Sequence, residues 1–228
     1  LGFDNSLDAC EEAGILPDIE IALEQLSDDR YLMRVTDNGP GIVKDQIPNI
    51  FGKLLYGSKF HRLRMSRGQQ GIGISVALMY GQLTSGKPTR IISRTGKGKA
   101  AHLYEIQIDT TRNKPTIVRD SEERWEVPRG TAVEIEMEAR YLRGRQSVDE
   151  YLRQTALANP HLTLRYKSPD GREIEYQNSA KELPPEPVEV KPHPHGVELG
   201  MLMKMMHGSA HRSLQAFLTQ EFSRVSSR

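Results

Sequence analysis

The stretch Asp37-Asn38-Gly39-Pro40-Gly41-Ile42 directly follows an apolar run, residues 31–36, that predicts a β-strand. Asp, Asn, Gly and Pro are the usual residues of a tight turn, so the stretch by itself indicates a turn at the end of a strand. Its two glycines also permit positive φ angles and a close approach of the backbone to a ligand. A carboxylate at a strand end can accept a hydrogen bond from an exocyclic amine, which leaves a binding role for Asp37 open.

A second glycine-rich stretch, Arg67-Gly68-Gln69-Gln70-Gly71-Ile72-Gly73, precedes a predicted helix that runs through Leu83. Successive backbone N–H groups in such a loop, beside a helix N-terminus, can cradle phosphate. The stretch lacks the Lys-Ser/Thr ending of a P-loop, and no clean strand precedes it as in a dinucleotide-binding loop. A glycine-rich loop alone does not identify a family.

Near the start of the chain, Asn5-Ser6-Leu7-Asp8-Ala9 lies in a segment whose apolar spacing predicts a helix over residues 4–14. An Asn on a helix that faces a pocket can give an amide oxygen to Mg²⁺, which prefers oxygen ligands and keeps phosphates and waters around it. The alternative is that Asn5 faces solvent near a helix start.

Taken in this order, the three stretches resemble the N, G1 and G2 boxes of the GHKL (Bergerat-fold) ATPases. Gly130-Thr131, which opens a predicted late strand, resembles a further element of that family, in which a Thr hydroxyl helps to hold the adenine-binding Asp and a water. The resemblance implies an α+β fold, a sandwich of a mixed sheet with helices on one face. The predicted order of elements, which does not alternate as βαβ units do, agrees with this class.

The resemblance narrows to the B subunits of the type IIB DNA topoisomerases (topoisomerase VI), and it runs along nearly the whole chain. The stretches that carry it are residues 5–17, 51–59, 66–75, 85–88 and 191–196, or NSLDACEEAGILP, FGKLLYGSK, SRGQQGIGIS, SGKP and KPHPHG.

This resemblance implies a site for ATP and Mg²⁺, in which Asn5 coordinates the metal and Asp37 accepts a hydrogen bond from adenine. The loop from about Gly57 to Gly73 would become ordered over the triphosphate. Lys59 and Arg67 would approach phosphates, although both are also typical of solvated surface charges. The residues expected to contact ATP are Asn5, Asp37, Gly39, Gly41, Lys59, Arg67, Gly68, Gln69, Gln70, Gly71, Ile72, Gly73 and Thr131.

The implied partners are a second copy of the chain, which would dimerise with it on ATP binding, a DNA-cleaving A subunit and double-stranded DNA. ATP-driven dimerisation would gate the passage of one duplex through another. Arg140, Arg143 and Arg145 form a small basic cluster, for which a solvated surface is the interpretation that we favour over DNA binding.

The chain departs from the family pattern at its first residue. The family's water-activating Glu lies four residues before the Asn, and that position is Leu1, which cannot take a proton. We expect a fragment in which residues 1–4 or 1–5 derive from further upstream, and a C-terminus without the transducer domain and its phosphate-binding Lys. Weak ATP binding and slow hydrolysis follow from this expectation, with the catalytic residue unknown.

Five prolines crowd into residues 183–196, which predicts a linker because proline fixes φ and lacks a backbone donor. We therefore expect an ATPase domain over 1–182, a linker over 183–196, and the start of a helix–two-turn–helix domain over 197–228. Further strands are predicted at 19–24, 90–95, 102–109, 131–137, 162–166 and 173–176.

The amino-acid composition excludes few classes of function. The net charge is +1, so the whole chain gives no electrostatic argument for nucleic acid. One cysteine, Cys10, cannot form an internal disulfide, and no apolar run approaches a membrane span. We expect a cytoplasmic protein that does not bind membranes.

Two alternatives to the topoisomerase function stay open: a non-catalytic, nucleotide-dependent dimerisation module, and another GHKL ATPase such as a mismatch-repair type.

Overall fold

The computed structural model describes residues 2–54, 56, 73–185 and 191–227. These residues form two compact units, the first up to Pro184 and the second from Pro185 onward. The domain limits expected from the sequence stay a prediction. In the part of the chain that the structure describes, no helix is both long enough and apolar enough to cross a membrane.

The first unit is built on one eight-stranded mixed sheet with the order β5-β4-β3-β6-β2-β1-β7-β8. Neighbouring strands pair antiparallel, except that β1 and β7 run parallel. The strands are β1 (Asp18–Gln25), β2 (Arg30–Asp37), β3 (Thr89–Arg94), β4 (Ala101–Asp109), β5 (Lys114–Glu123), β6 (Gly130–Glu138), β7 (Thr163–Lys167) and β8 (Glu173–Tyr176).

The four helices that the structure describes in the first unit pack on one face of this sheet, as the α+β prediction required. They are α1 (Gly2–Glu12), α2 (Ile47–Gly52), α3 (Gly73–Ser85) and α4 (Val148–Ala158). One apolar cluster joins α1 and α4 to β1, β2 and β7, and a second joins α2 and α3 to β3, β4 and β6. Met33 of β2 packs against both clusters, which places all four helices on the same face.

The opposite face carries a smaller apolar cluster made of Ile92, Ala101, Leu103 and Ala132. The single tryptophan of the chain, Trp125, packs against this cluster. Its fluorescence therefore reports on the packing of the first unit.

Helix α1 ends where the sequence predicts. Gly14 has a φ of +69°, and the backbone N–H of Ile15 donates to the carbonyl of Cys10 at 2.9 Å. This arrangement closes the last turn of a helix, and glycine adopts the required left-handed conformation without a side-chain penalty.

In the second unit, the predicted helical segment 197–225 contains two helices, α5 (Leu199–Gly208) and α6 (Leu214–Glu221). Ser213 separates them as the N-cap of α6, since its hydroxyl accepts a hydrogen bond from the Ala216 N–H at 3.2 Å. The apolar side chains of α5 are largely exposed, with Met201 at 54% and Met203 at 53%.

The antiparallel order brings three strand termini together at one edge of the sheet. Asp37 ends β2, and Thr36 pairs with Ala132 of β6. Arg94 ends β3 and pairs with Gly130, the first residue of β6. The turn after Asp37 therefore lies beside the end of β3 and the start of β6.

Candidate functional site

The Asp37 carboxylate is the centre of this edge, because it is buried and connects three segments. Its Oδ1 accepts hydrogen bonds from the backbone N–H of Gly39 at 2.9 Å and of Thr131 at 3.0 Å. Its Oδ2 accepts one from the Ser6 hydroxyl at 2.9 Å. The side chain thus joins α1, the turn after β2 and the start of β6.

Burial raises the pKa of the Asp37 carboxyl above its ordinary value of 3.8, while the hydrogen bonds from Ser6, Gly39 and Thr131 oppose that rise. A carboxylate offers about four acceptor positions, and these donors occupy three of them. No other described residue donates to Asp37, which leaves one position for a donor from a ligand. A buried, perturbed carboxylate with an open acceptor position is typical of a binding site.

Gly41 in the turn and Gly130 at the start of β6 allow the backbone of neighbouring segments to pass close together. Gly41 has a φ of +70°, and a Cβ added to it would lie 2.1 Å from the Arg94 carbonyl oxygen. At Gly130, where φ is +139°, an added Cβ would lie 1.9 Å from the Asp37 carbonyl oxygen. Both contacts are with backbone atoms, so neither position has room for a side chain.

Asn38 attaches the same turn to the start of β1. Its Oδ1 accepts hydrogen bonds from the Asp18 backbone N–H at 2.9 Å and from the Cys10 thiol at 3.4 Å. Its Nδ2 donates to the Leu16 carbonyl at 3.0 Å. Burial is the largest cause that raises the pKa of the Cys10 thiol to about 12, so this thiol is held as a neutral donor.

Ser93 of β3 links the far side of the turn to β6. Its hydroxyl oxygen accepts from the Ile42 N–H at 2.8 Å, lies 3.1 Å from the Gly130 carbonyl oxygen and 3.0 Å from Thr131 Oγ1. Ser93 is fully buried and Thr131 nearly so. The backbone N–H of Thr131 makes the contact with Asp37, while its hydroxyl is directed to Ser93.

Helix α1 carries Asn5 beside Ser6 and is attached to the rest of the unit near both of its ends. The Tyr151 hydroxyl donates to Asp4 Oδ1 at 2.6 Å, and His161 Nε2 lies 2.7 Å from Glu11 Oε1. This fixes the position of Asn5, whose side chain is half-buried.

Asn5, which the sequence predicts as the magnesium ligand, lies on α1 next to Ser6, the residue that donates to Asp37. Within the described ranges, no three His, Cys, Asp or Glu side chains converge as a self-contained metal site. A single amide oxygen is a sufficient contribution from the protein, because Mg²⁺ usually keeps several waters and phosphate oxygens in its shell.

The structure thus gathers Asp37, Gly39, Gly41 and Thr131 into one cluster, with Asn5 on the helix that contacts it. Gly73 is the first residue of α3. The other predicted ligands, Lys59, Arg67, Gly68, Gln69, Gln70, Gly71 and Ile72, lie outside the described residues, as does Leu1.

Sequence reasoning missed the roles of Ser6, Asn38 and Ser93. Ser6 and Asn38 stand inside the recognised boxes, but their partners are 31 and 20–28 residues away along the chain. Ser93 lies in an ordinary strand pattern, so only its register opposite Thr131 reveals its contacts.

Comparison with known families agrees with this geometry. Residues 3–140 match the family described as histidine kinase-, DNA gyrase B-, and HSP90-like ATPase. The match covers more than half of the chain and includes the whole cluster around Asp37.

Several relatives, each named as the B subunit of type 2 DNA topoisomerase 6, match 97% of the chain. Those from Methanosarcina barkeri, Methanococcoides burtonii and Archaeoglobus fulgidus are 50%, 52% and 51% identical to it over 223 residues. The chain covers 36%, 36% and 37% of their respective lengths, so it corresponds to a little over a third of each relative.

Proposed function

Since this chain belongs to the family of histidine kinase-, DNA gyrase B-, and HSP90-like ATPases, we propose that the cluster around Asp37 is the base-recognising end of a site for ATP and Mg²⁺. The observation that carries the proposal is the buried Asp37 carboxylate, which three described donors from three segments hold at three of its roughly four acceptor positions. The 6-amino group of adenine is a donor that fits this position.

Two further segments would bind the rest of the nucleotide, which consists of its phosphates and the Mg²⁺ ion. Asn5 would hold Mg²⁺ through its amide oxygen, and the ion would supply charge stabilisation to the phosphates. The family resemblance implies that the stretch from Gly68 to Gly73 contacts the triphosphate, together with Lys59 and Arg67. This second part of the site is proposed from the sequence alone.

The reaction that we propose is attack of water on the γ-phosphorus. The bond from that phosphorus to the bridging oxygen breaks, ADP leaves and inorganic phosphate forms, while a general base takes a proton from the water. In the present chain, Leu1 stands where the family's Glu is expected. We therefore expect this chain to bind ATP and to hydrolyse it slowly, and a steady-state ATPase assay at rates normal for the family would contradict this.

We propose that the protein acts as an ATP-operated B subunit of a type IIB topoisomerase. The relatives are named for that role and share about half of their residues with this chain over the matched region. Two B subunits would dimerise on binding ATP, while an A subunit cleaves double-stranded DNA. Relaxation of supercoiled DNA that requires both ATP and the A subunit would support this role.

A nucleotide-dependent dimerisation module without catalysis is the second candidate, and Leu1 is the residue that favours it. Sedimentation velocity with ATP, together with phosphate release from the same sample, distinguishes the two. A shift to a dimer without phosphate release supports the module. Dimerisation accompanied by steady phosphate release supports the enzyme, and a monomer at saturating nucleotide contradicts both.

A further inference from the structure

We propose that Ser93 is a positioning residue that sets which purine the site accepts, by fixing the direction of the Thr131 hydroxyl proton. The inference rests on the proposed function, since it assumes that Asp37 and Thr131 face the base. It goes beyond that function because Ser93 itself contacts no part of the nucleotide in this arrangement.

The Ser93 hydroxyl has a hydrogen-bond capacity of one proton and two lone pairs. The N–H of Ile42 can only donate, so at 2.8 Å it occupies one lone pair. The Gly130 carbonyl can only accept, so at 3.1 Å it receives the single proton. The lone pair that remains faces Thr131 Oγ1 at 3.0 Å, and Thr131 must then be the donor in that contact.

In this arrangement, the proton and both lone pairs of the Ser93 hydroxyl each have a hydrogen-bond partner. In the reverse arrangement, Ser93 would give its proton to Thr131 and leave its contact with the Gly130 carbonyl without a proton. Ser93 has no exposed surface and Thr131 is 7% exposed, so solvent cannot readily replace a missing bond. A hydrogen bond left unmade at a buried group carries a penalty, which favours the saturated arrangement.

A Thr131 hydroxyl that donates to Ser93 can only accept from the site. Asp37, which binds the N–H of Thr131, is an acceptor as well. The two side chains together present an edge made of acceptors. Such an edge receives the 6-amino group of adenine, and it repels the 6-oxo group of hypoxanthine or guanine, which is itself an acceptor.

Removal of the Ser93 hydroxyl should release the Thr131 proton. The proton can then turn toward a bound base and donate to a 6-oxo group. Selectivity between 6-amino and 6-oxo purines should therefore fall, by a factor separate from any general loss of affinity. We expect a decrease of about tenfold in the preference, the factor that one ordinary hydrogen bond contributes.

The test is equilibrium binding of the imido triphosphates of adenosine and inosine, each with Mg²⁺, to the wild type and to Ser93→Ala. Ser93→Thr keeps a hydroxyl on the same strand and should keep the wild-type preference. Ser93→Cys fills similar space with a weak acceptor and should give an intermediate preference, which supplies a second variant if the alanine protein does not fold. In a Thr131→Val background, the effect of Ser93→Ala on the preference should disappear.

Each outcome separates this inference from the proposed function. A preference that decreases in Ser93→Ala and is kept in Ser93→Thr supports the inference. Equal weakening of both analogues, with an unchanged ratio, overturns it and leaves Ser93 as a structural residue, while the ATP site stands. A wild type that binds neither analogue overturns the proposed function and this inference with it.

Discussion

Gly41→Ala should damage the site far more than an equivalent substitution elsewhere. The added Cβ would lie 2.1 Å from the Arg94 carbonyl oxygen, whereas real Cβ contacts essentially never fall below 3.0 Å. The turn or the end of β3 must therefore move by the difference, 0.9 Å. If the turn moves, the 2.8 Å bond from Ile42 to Ser93 exceeds the ~3.2 Å limit of a good N–H···O hydrogen bond.

Two costs combine in this variant. A left-handed φ of +70° costs an alanine about 1–2 kcal/mol, and loss of a buried hydrogen bond costs about 1–3 kcal/mol more. The matched control is Gly86→Ala, where φ is +72° and nothing lies within 4 Å of the added Cβ. The control should show the backbone cost alone, so the two variants should differ by about 1–3 kcal/mol in free energy of unfolding.

Urea denaturation followed by the fluorescence of Trp125 measures this difference in the first unit. The same proteins are then titrated with an imido analogue of ATP, which Gly86→Ala should bind like the wild type and Gly41→Ala should bind more weakly. If Gly41→Ala is as stable as Gly86→Ala and binds the analogue with wild-type affinity, the reasoning about this turn is refuted.

The same cluster supports predictions at Asn38, Cys10 and Asp37. Asn38→Ala should lower the free energy of unfolding by about 2–4 kcal/mol, because three hydrogen bonds to the α1–β1 connection are lost; a urea midpoint equal to that of the wild type would refute this. Cys10 should resist alkylation by iodoacetamide at about pH 8 until the chain unfolds, since its pKa is raised to about 12 and the thiolate is the reactive form; rapid labelling of the native chain would be the opposite result. Burial raises the pKa of Asp37, so this carboxylate becomes protonated at a higher pH than an ordinary Asp does. As the solution is acidified, the affinity for the analogue should therefore begin to fall at that higher pH. The same raised pKa means that its ionisation opposes folding as pH rises, so Asp37→Asn should be at least as stable as the wild type at neutral pH in urea titrations.

The local patterns of the sequence predicted most of the fold. The strands at 19–24 and 31–36, the turn at Asp37 and the helix after the second glycine-rich stretch were all predicted, because alternation and turn residues act over short distances. The mixed sheet with helices on one face came from the family resemblance and is confirmed.

The sequence analysis did not predict strand β5 or helix α4, for different reasons. Strand β5 is an edge strand whose side chains are mostly exposed, including Ile117 and Val118, so it lacks the alternation of a half-buried strand. Helix α4 had a usable signal, since Ser147 stands three residues before Glu150 and its hydroxyl accepts the Glu150 N–H at 3.2 Å.

The hydrogen bonds that join the residues of the site could not be predicted from the sequence. The motif identified Asp37 and Thr131 as site residues, but their contact spans 94 residues and depends on the register of β2 and β6. Ser93 became visible only when β3 was placed beside β6. Contacts of this kind belong to tertiary structure, and no local pattern encodes them.

Equilibrium binding of an imido ATP analogue with Mg²⁺ tests most directly whether the buried Asp37 carboxylate recognises the base of ATP. Asp37→Asn is compared with Asp109→Asn, since Asp109 also accepts two backbone N–H groups but ends β4 at the opposite edge of the sheet. We expect the wild type and Asp109→Asn to bind alike. Asp37→Asn should bind at least about 100-fold more weakly, because a charge-assisted hydrogen bond is lost and an amide donor can face the adenine amine instead. Equal binding by all three proteins, or binding by none, would contradict the account.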